Sequence, residues 1–238
     1  VAMEPQSGKI KAWVGGIDHH FFQYDHVLSK RQTGSTFKPI VYAAGLQSGL
    51  SPCSYFPNAS KTYEAYDDWT PRNADDSYEG AYSMAGALSQ SINTVSVQVA
   101  MKTGLEKISR LARQMGIQSY IPEVPPIALG TAECSLYEMV QAYATFANQG
   151  IFQPLQYLVK VEDASGRVII DNRRSTGGLR RVMATEEAQL ITRMLQQVVD
   201  NGTAQRLRFY YGWNDDVAGK TGTTQSQSDG WFIVYTPN

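Results

Sequence analysis

Two changes of apolar period constrain this 238-residue chain more than anything else in it. Ala2–Val14 alternates as two short strands around the turn Pro5-Gln6-Ser7-Gly8 and is closed by Gly15 and Gly16. Strand-like sequence dominates again at Asp216–Thr224 and Trp231–Tyr235, which flank a polar turn at Gln225–Gly230. The middle is mostly helical. Ser35–Leu46 follows Gly34 and stops before Gly49, and Tyr82–Met115 reads as two helices broken near Ser89–Thr94. Ser135–Ala147 is amphipathic and stopped by Asn148-Gln149-Gly150, and Thr185–Val199 ends at Asp200-Asn201-Gly202. A lone hairpin is expected at Tyr157–Val161 and Arg167–Ile170, around Ala164-Ser165-Gly166, while Asp18–Gln32 and Ser51–Gly80 show no period and should be irregular. Strands at both ends with helices between them imply one sheet built from both termini, with a helical insertion.

Composition removes several functional classes. Hydrophobic residues at 42% support a sizeable core, and a net charge of -1 leaves no basic stripe for nucleic acid and no polybasic cluster for anionic lipid. Apolar runs such as Ile40–Leu46 fall far short of the roughly 20 residues that span a bilayer. There is no leader pattern, but Val1 runs straight into strand-like sequence without an initiator Met, so the chain reads as a piece of something longer. Cys53 and Cys134 are either free and buried or one disulfide. His19, His20 and His26 lack the i, i+4 spacing of a helical zinc pair, so no metal is expected, and no phosphate-binding glycine loop implies a nucleotide cofactor.

Three short motifs carry chemistry when read together. In Ser35-Thr-Phe-Lys38 the two side chains share a helix face, so the amine can serve as base for the hydroxyl if it is neutral. Burial, a helix N-terminus and a second cation at Lys220 would all favour the neutral amine; the plainer alternative is that Ser35 caps a helix and Lys38 is solvated. Ser91-Ile-Asn93 offers a proton-passing hydroxyl and an amide-binding amide, or merely a helix cap. Lys220-Thr221-Gly222 continues to Thr223 along a strand. Thr221 and Thr223 point to one side, able to bind a carboxylate with an ammonium nearby, unless they only protect an edge strand. A second copy, Lys102-Thr103-Gly104, ends an apolar helix pattern and is assigned to solvent and a helix cap. S-x-x-K, S-x-N and K-T-G in this order match the signature of class A β-lactamases and penicillin-binding proteins.

Beyond these motifs, Ser7–Gly16, Arg31-Gln-Thr-Gly-Ser35-Thr-Phe-Lys-Pro39, Thr70-Pro-Arg-Asn73, Ala128-Leu-Gly130, Ala142–Gly150 and Trp231-Phe232 resemble the transpeptidase domain of class A penicillin-binding proteins nearly from end to end. The resemblance implies an α+β fold of antiparallel sheet flanked by helices, with an all-helical subdomain inserted at about 50–150 of a transpeptidase domain spanning 1–238. It implies a peptidoglycan D,D-transpeptidase with Ser35 as nucleophile on D-Ala-D-Ala stem peptides, Lys38 as base and Ser91 as proton shuttle. The backbone N–H groups of Ser35 and Thr223 would form the oxyanion hole; Lys220, Thr221, Gly222 and Thr223 would bind the terminal carboxylate and Asn93 the peptide amide. β-Lactams would acylate Ser35, with no cofactor required and a location at the outer face of the cytoplasmic membrane.

The resemblance also implies a glycosyltransferase domain and membrane anchor upstream in the full-length protein and a last strand and closing helix after Asn238, none of which lies within these 238 residues. Val234 stands where relatives often have Gly. The rival activities are a serine β-lactamase or D,D-carboxypeptidase, with Glu133 the one candidate to activate water though it is read as structural, and a non-catalytic β-lactam sensor.

Overall fold

The computed structural model describes residues 1–21, 23–173, 177–224 and 229–236. Strands β1 (Ala2–Met3) and β2 (Ile10–Ala12) pair antiparallel, with Gly8 at φ 72° in the turn. The following loop stays irregular until β3 (Arg31–Gln32). A tight 3₁₀ turn over Gly34–Phe37 then runs into α1 (Lys38–Gln47). Ser35 therefore stands on a 3₁₀ turn rather than in an α-helix, a geometry that eclipses side chains at i and i+3 and keeps Ser35 and Lys38 on one side. Nine of the ten α1 residues are buried, because neighbouring helices surround it. Gly45 permits this: a Cβ there would lie 3.1 Å from Met84 Cε and 3.3 Å from Val99 Cγ1.

The segment expected to be irregular contains β4 (Tyr55–Pro57), which pairs with β5 (Ala81–Ser83). Ser83 Oγ accepts from Gly86 N and caps α2 (Met84–Ser89). Two more helices follow, α3 (Asn93–Thr103) and α4 (Leu105–Gln114), so the expected pair is a trio. The extra break is Gly104, whose φ of 99° no helix accommodates. Strand β6 (Glu133–Cys134) turns back to pair with β3, Gln32 lying opposite Glu133.

Helix α5 (Leu136–Ala147) begins with a capping box between Ser135 and Glu138. The Glu138 carboxylate also accepts from Gln118 N, Ser119 N and Ser119 Oγ. Burial alone would raise the pKa of this carboxyl; the hydrogen bonds from Ser135 and Ser119 outweigh burial and hold it lowered.

Next come β7 (Ile151–Phe152), the hairpin of β8 (Lys160–Glu162) and β9 (Val168–Asp171), and β10 (Arg180–Arg181), which pairs with β7. Helices α6 (Thr185–Asn201) and α7 (Arg206–Phe209) precede the antiparallel pair β11 (Ala218–Thr223) and β12 (Gly230–Tyr235). Of the turn expected between them, residues 225–228 lie outside the described residues.

The α+β class is as expected, but the single sheet from both termini is not formed. Among the described residues the strands make six two-stranded antiparallel pairs. Each terminal hairpin closes on itself, and a groove of about 510 Å³ lined by Ala2, Met3, Tyr143, Val234 and Tyr235 lies between β1 and β12. One hydrophobic core runs through α1 to α6 and reaches β11 and β12. Truncating a side chain at its centre, such as Leu195→Ala, would cost about 2–5 kcal/mol. Both cysteines are free, Cys134 buried as expected but Cys53 exposed on a loop. Among the described residues no helix is long and apolar enough to cross a membrane.

Candidate active site

Three backbone segments meet where the 3₁₀ turn begins. Thr33 N donates to Ala132 O at 3.2 Å and Gly34 N to Gly130 O at 3.0 Å, while Tyr143 Oη donates to Thr36 O at 2.7 Å. Glycine is required at each crossing. A Cβ on Gly130 would sit 1.8 Å from Gly34 O, one on Gly34 would sit 2.8 Å from Thr223 O, and one on Gly222 would sit 2.9 Å from Thr33 O. This contact brings β11 against the Ser35 turn, with Thr223 N 3.4 Å from the Cβ position of Gly34. Ser35 occupies the first turn of its 3₁₀ helix, where leading N–H groups lack intrahelical partners.

Lys38 and Lys220 are both fully buried and converge on one hydroxyl. Each Nζ lies 3.1 Å from Ser91 Oγ. Lys38 Nζ also donates to Ser91 O at 2.6 Å and Asn93 Oδ1 at 2.7 Å, and Lys220 Nζ donates to Thr221 O at 3.0 Å. Among the described residues, no ion pair joins either amine to a carboxylate. Burial, then the charge of Lys220, pushes Lys38 well below the ordinary lysine pKa. Burial brings Lys220 down to about 7. Ser91 sustains this convergence with a φ of 59°, uncommon outside glycine, in the link between α2 and α3.

The Asn93 amide is held from both ends, its Nδ2 donating to Arg72 O at 2.7 Å. Asn73 secures the same helix start, its Oδ1 accepting from Asn93 N at 2.9 Å and Thr94 N at 3.1 Å. A cleft of about 340 Å³ opens in front, lined by Ser35, Trp69, Arg72, Asn93, Gly130 and Thr223 among others.

Most of the sequence-expected residues come together in two tiers, while the Thr221 side chain lies outside the cleft lining and meets Thr203 instead. Lys38, Ser91, Asn93 and Lys220 form one hydrogen-bonded cluster; Ser35 and Thr223 face the cleft. Among the described residues, no hydrogen bond reaches Ser35 Oγ, and Lys38 directs its contacts to Ser91 and Asn93 instead. Along β11, Lys220 and Gly222 are buried while Thr221 is half-buried and Thr223 exposed, the alternation expected of a strand. Glu133 is exposed on β6 and does not line the cleft. Lys102 is exposed at the end of α3. His19 and His20 are exposed, and among the described residues no cluster of three or more metal-ligating side chains exists.

Sequence reasoning assigned no role to Asn73, Gly34, Gly130 or Thr203. Gly34, Gly130 and Asn73 each left a trace in the short motifs that carry the resemblance, but without a stated role. Thr203, whose Oγ1 is 2.8 Å from Thr221 Oγ1, followed what read only as a helix stop.

The family model for the penicillin-binding protein transpeptidase domain matches residues 1–238. Penicillin-binding protein 1A of Aquifex aeolicus (strain VF5) is 33% identical over 243 residues, covering 100% of this chain and 32% of that protein. The corresponding protein of Neisseria gonorrhoeae is 32% identical over 246 residues, covering 100% and 31%. The chain thus spans about a third of the length of the curated relatives it matches. Among solved structures, the penicillin-binding protein PonA1 from Mycobacterium tuberculosis superposes with a TM-score of 0.85 at 26% identity, covering 99% of this chain and 65% of that one. PonA1 in complex with penicillin V gives 0.84 at 25%, with the same coverage.

Proposed function

The chain belongs to the penicillin-binding protein transpeptidase family, and we propose that it cross-links peptidoglycan stem peptides through an acyl-enzyme on Ser35. The observation that carries this reading is the pair of buried amines sharing Ser91 Oγ beside the Ser35 turn, with no carboxylate paired to either among the described residues. A lysine whose pKa burial pushes well below its ordinary value gives up its proton more readily than an exposed lysine, which is what a base for Ser35 requires.

Ser35 Oγ attacks the carbonyl carbon of the penultimate D-Ala, and its proton passes to Lys38. Ser91 returns a proton to the departing amine, so the C–N bond breaks, terminal D-Ala leaves and an ester on Ser35 remains. An acceptor amine on a neighbouring stem then attacks that ester, loses a proton by the reverse path and frees Ser35. Catalytic hydrogen bonds of this kind commonly tighten only in the substrate complex, which accounts for the resting contacts of Lys38. The N–H groups of Ser35 and Thr223 receive the developing oxyanion, their nearness supported by the Gly34 and Thr223 contact. Thr221 and Thr223 take the terminal carboxylate, with the Lys220 ammonium behind them and Gly222 keeping the strand close. Asn93 offers its remaining amide N–H to the peptide. β-Lactams acylate Ser35 as mimics of this substrate, and residues 50–150 act as the helical wall of the site. The location proposed is the outer face of the cytoplasmic membrane, with a glycosyltransferase domain upstream in the full-length protein.

Intact mass after incubation with a penicillin tests the reading. A stable adduct that Ser35→Ala abolishes is expected; a folded protein that takes no adduct would sink it. Rapid release of opened penicillin would favour a β-lactamase instead, and failure to transfer a stem peptide to an acceptor amine would favour a sensor.

A further inference from the structure

The turn after α6 is pinned from two sides. A Cβ on Gly202 would fall 2.3 Å from Ser89 O, so glycine lets the chain press against the end of α2. Thr203 N donates to Ser89 O at 3.2 Å, Gln90 Nε2 donates to Asn201 O at 3.1 Å, and Ser89 Oγ donates to Gln197 O at 3.1 Å. These bonds fix Thr203 to the residues that immediately precede Ser91. Its hydroxyl then spans the remaining gap to Thr221, at 2.8 Å.

We propose that Thr203 is a positioning residue that sets the hydroxyl direction of Thr221 for a carboxylate-bearing substrate. The inference rests on the acyl-enzyme reading above. Each hydroxyl has one proton and two acceptor lone pairs. If Thr221 donates to Thr203, it turns only lone pairs outward, on the side of β11 it shares with the cleft-lining Thr223, and repels a carboxylate. If Thr203 donates to Thr221, the Thr221 proton is free to point at the anion, and the two hydroxyls polarise one another. A bound carboxylate selects the second arrangement, and Thr203 makes it available because its own backbone is already held by Ser89.

The test measures second-order acylation of Ser35 by a penicillin and by its methyl ester, in the wild type, Thr203→Val, Thr203→Ser, Thr221→Val and the double valine variant. Losing one hydrogen bond in a charge-assisted chain should cut the free-acid-to-ester rate ratio about tenfold in Thr203→Val. Thr203→Ser should restore the ratio, and Thr203→Val should add little once Thr221 is already valine. An unchanged ratio in Thr203→Val, or equal losses with and without Thr221, overturns the inference while leaving the acyl-enzyme intact. A wild-type protein that reacts with neither compound overturns the acyl-enzyme reading, and this inference with it.

Discussion

The tripeptide Lys-Thr-Gly occurs twice in this molecule, and its two copies have opposite fates. At the end of α3, Lys102 is exposed, with its ammonium 5.7 Å from the centre of the Phe56 ring. Gly104 ends the helix with φ 99°, and the buried Thr103 Oγ1 lacks a hydrogen-bond partner among the described residues. In β11 the same three residues lie extended, opposite Ile233, Phe232 and Trp231 of β12. Two-residue periodicity sends Lys220 and Gly222 inward and Thr221 outward, where a helix would fan the three around its axis. Glycine changes meaning as well: at 104 it supplies a conformation, at 222 it supplies room. The difference comes from what each backbone pairs with, and it decides which lysine can take part in chemistry.

The comparison breaks most easily at the lysines. Lys38→Met should slow penicillin acylation by about 10²–10⁴-fold through loss of the base, whereas Lys102→Met should leave the rate at wild-type level, as stopped-flow labelling would show. Next come the glycines. Gly222→Ala forces a Cβ to 2.9 Å from Thr33 O and 3.0 Å from Thr36 N, so it should cost about 1–3 kcal/mol in chemical denaturation and depress acylation. Gly104→Ala meets nothing within 4 Å and should cost about 1 kcal/mol of backbone strain, with acylation retained.

A pH titration sharpens the contrast further. With Lys220 near 7 when folded and about 10.4 when unfolded, the unfolded chain binds more protons between those values, so stability should rise with pH across that window. Lys220→Met should reduce that slope, leaving the share due to Lys38, and Lys102→Met should leave it unchanged. Acylation by a carboxylate-bearing penicillin should fall as Lys220 loses its charge above about pH 7. The smallest effect belongs to Thr103→Val, which removes an unpartnered buried hydroxyl and should be neutral or stabilise by up to about 1 kcal/mol.

What the sequence made legible was local. The Ser135 and Glu138 pair, three apart ahead of an apolar run, marks the start of α5, and Ser35 with Lys38 shares a face on any helical turn. Lys38 was singled out by its spacing from Ser35, while its burial was not decided by the sequence. The contacts that complete the site join residues far apart in the chain: Asn73 to Asn93, Ser91 to Lys220, Gly34 to Gly130 and Thr203 to Thr221. No periodicity encodes these pairings, because tertiary packing decides them. The same reason hid the short partnership of β3 with β6 and the separation of the two terminal hairpins.

In the proposed mechanism, the crossing of the Ser35 turn with β11 would also fix when the protein becomes reactive. Ser35 and Thr223 are about 190 residues apart, a contact of very high order for a chain this long. At a synthesis rate of about 5–20 residues per second, the nucleophile emerges roughly 10 to 40 seconds before the strand that completes its surroundings. Until then Lys38 has neither its full burial nor Lys220 beside it and keeps an ordinary, protonated amine. On the acyl-enzyme reading, the nascent domain would therefore carry its serine disarmed until the β11 and β12 pair docks.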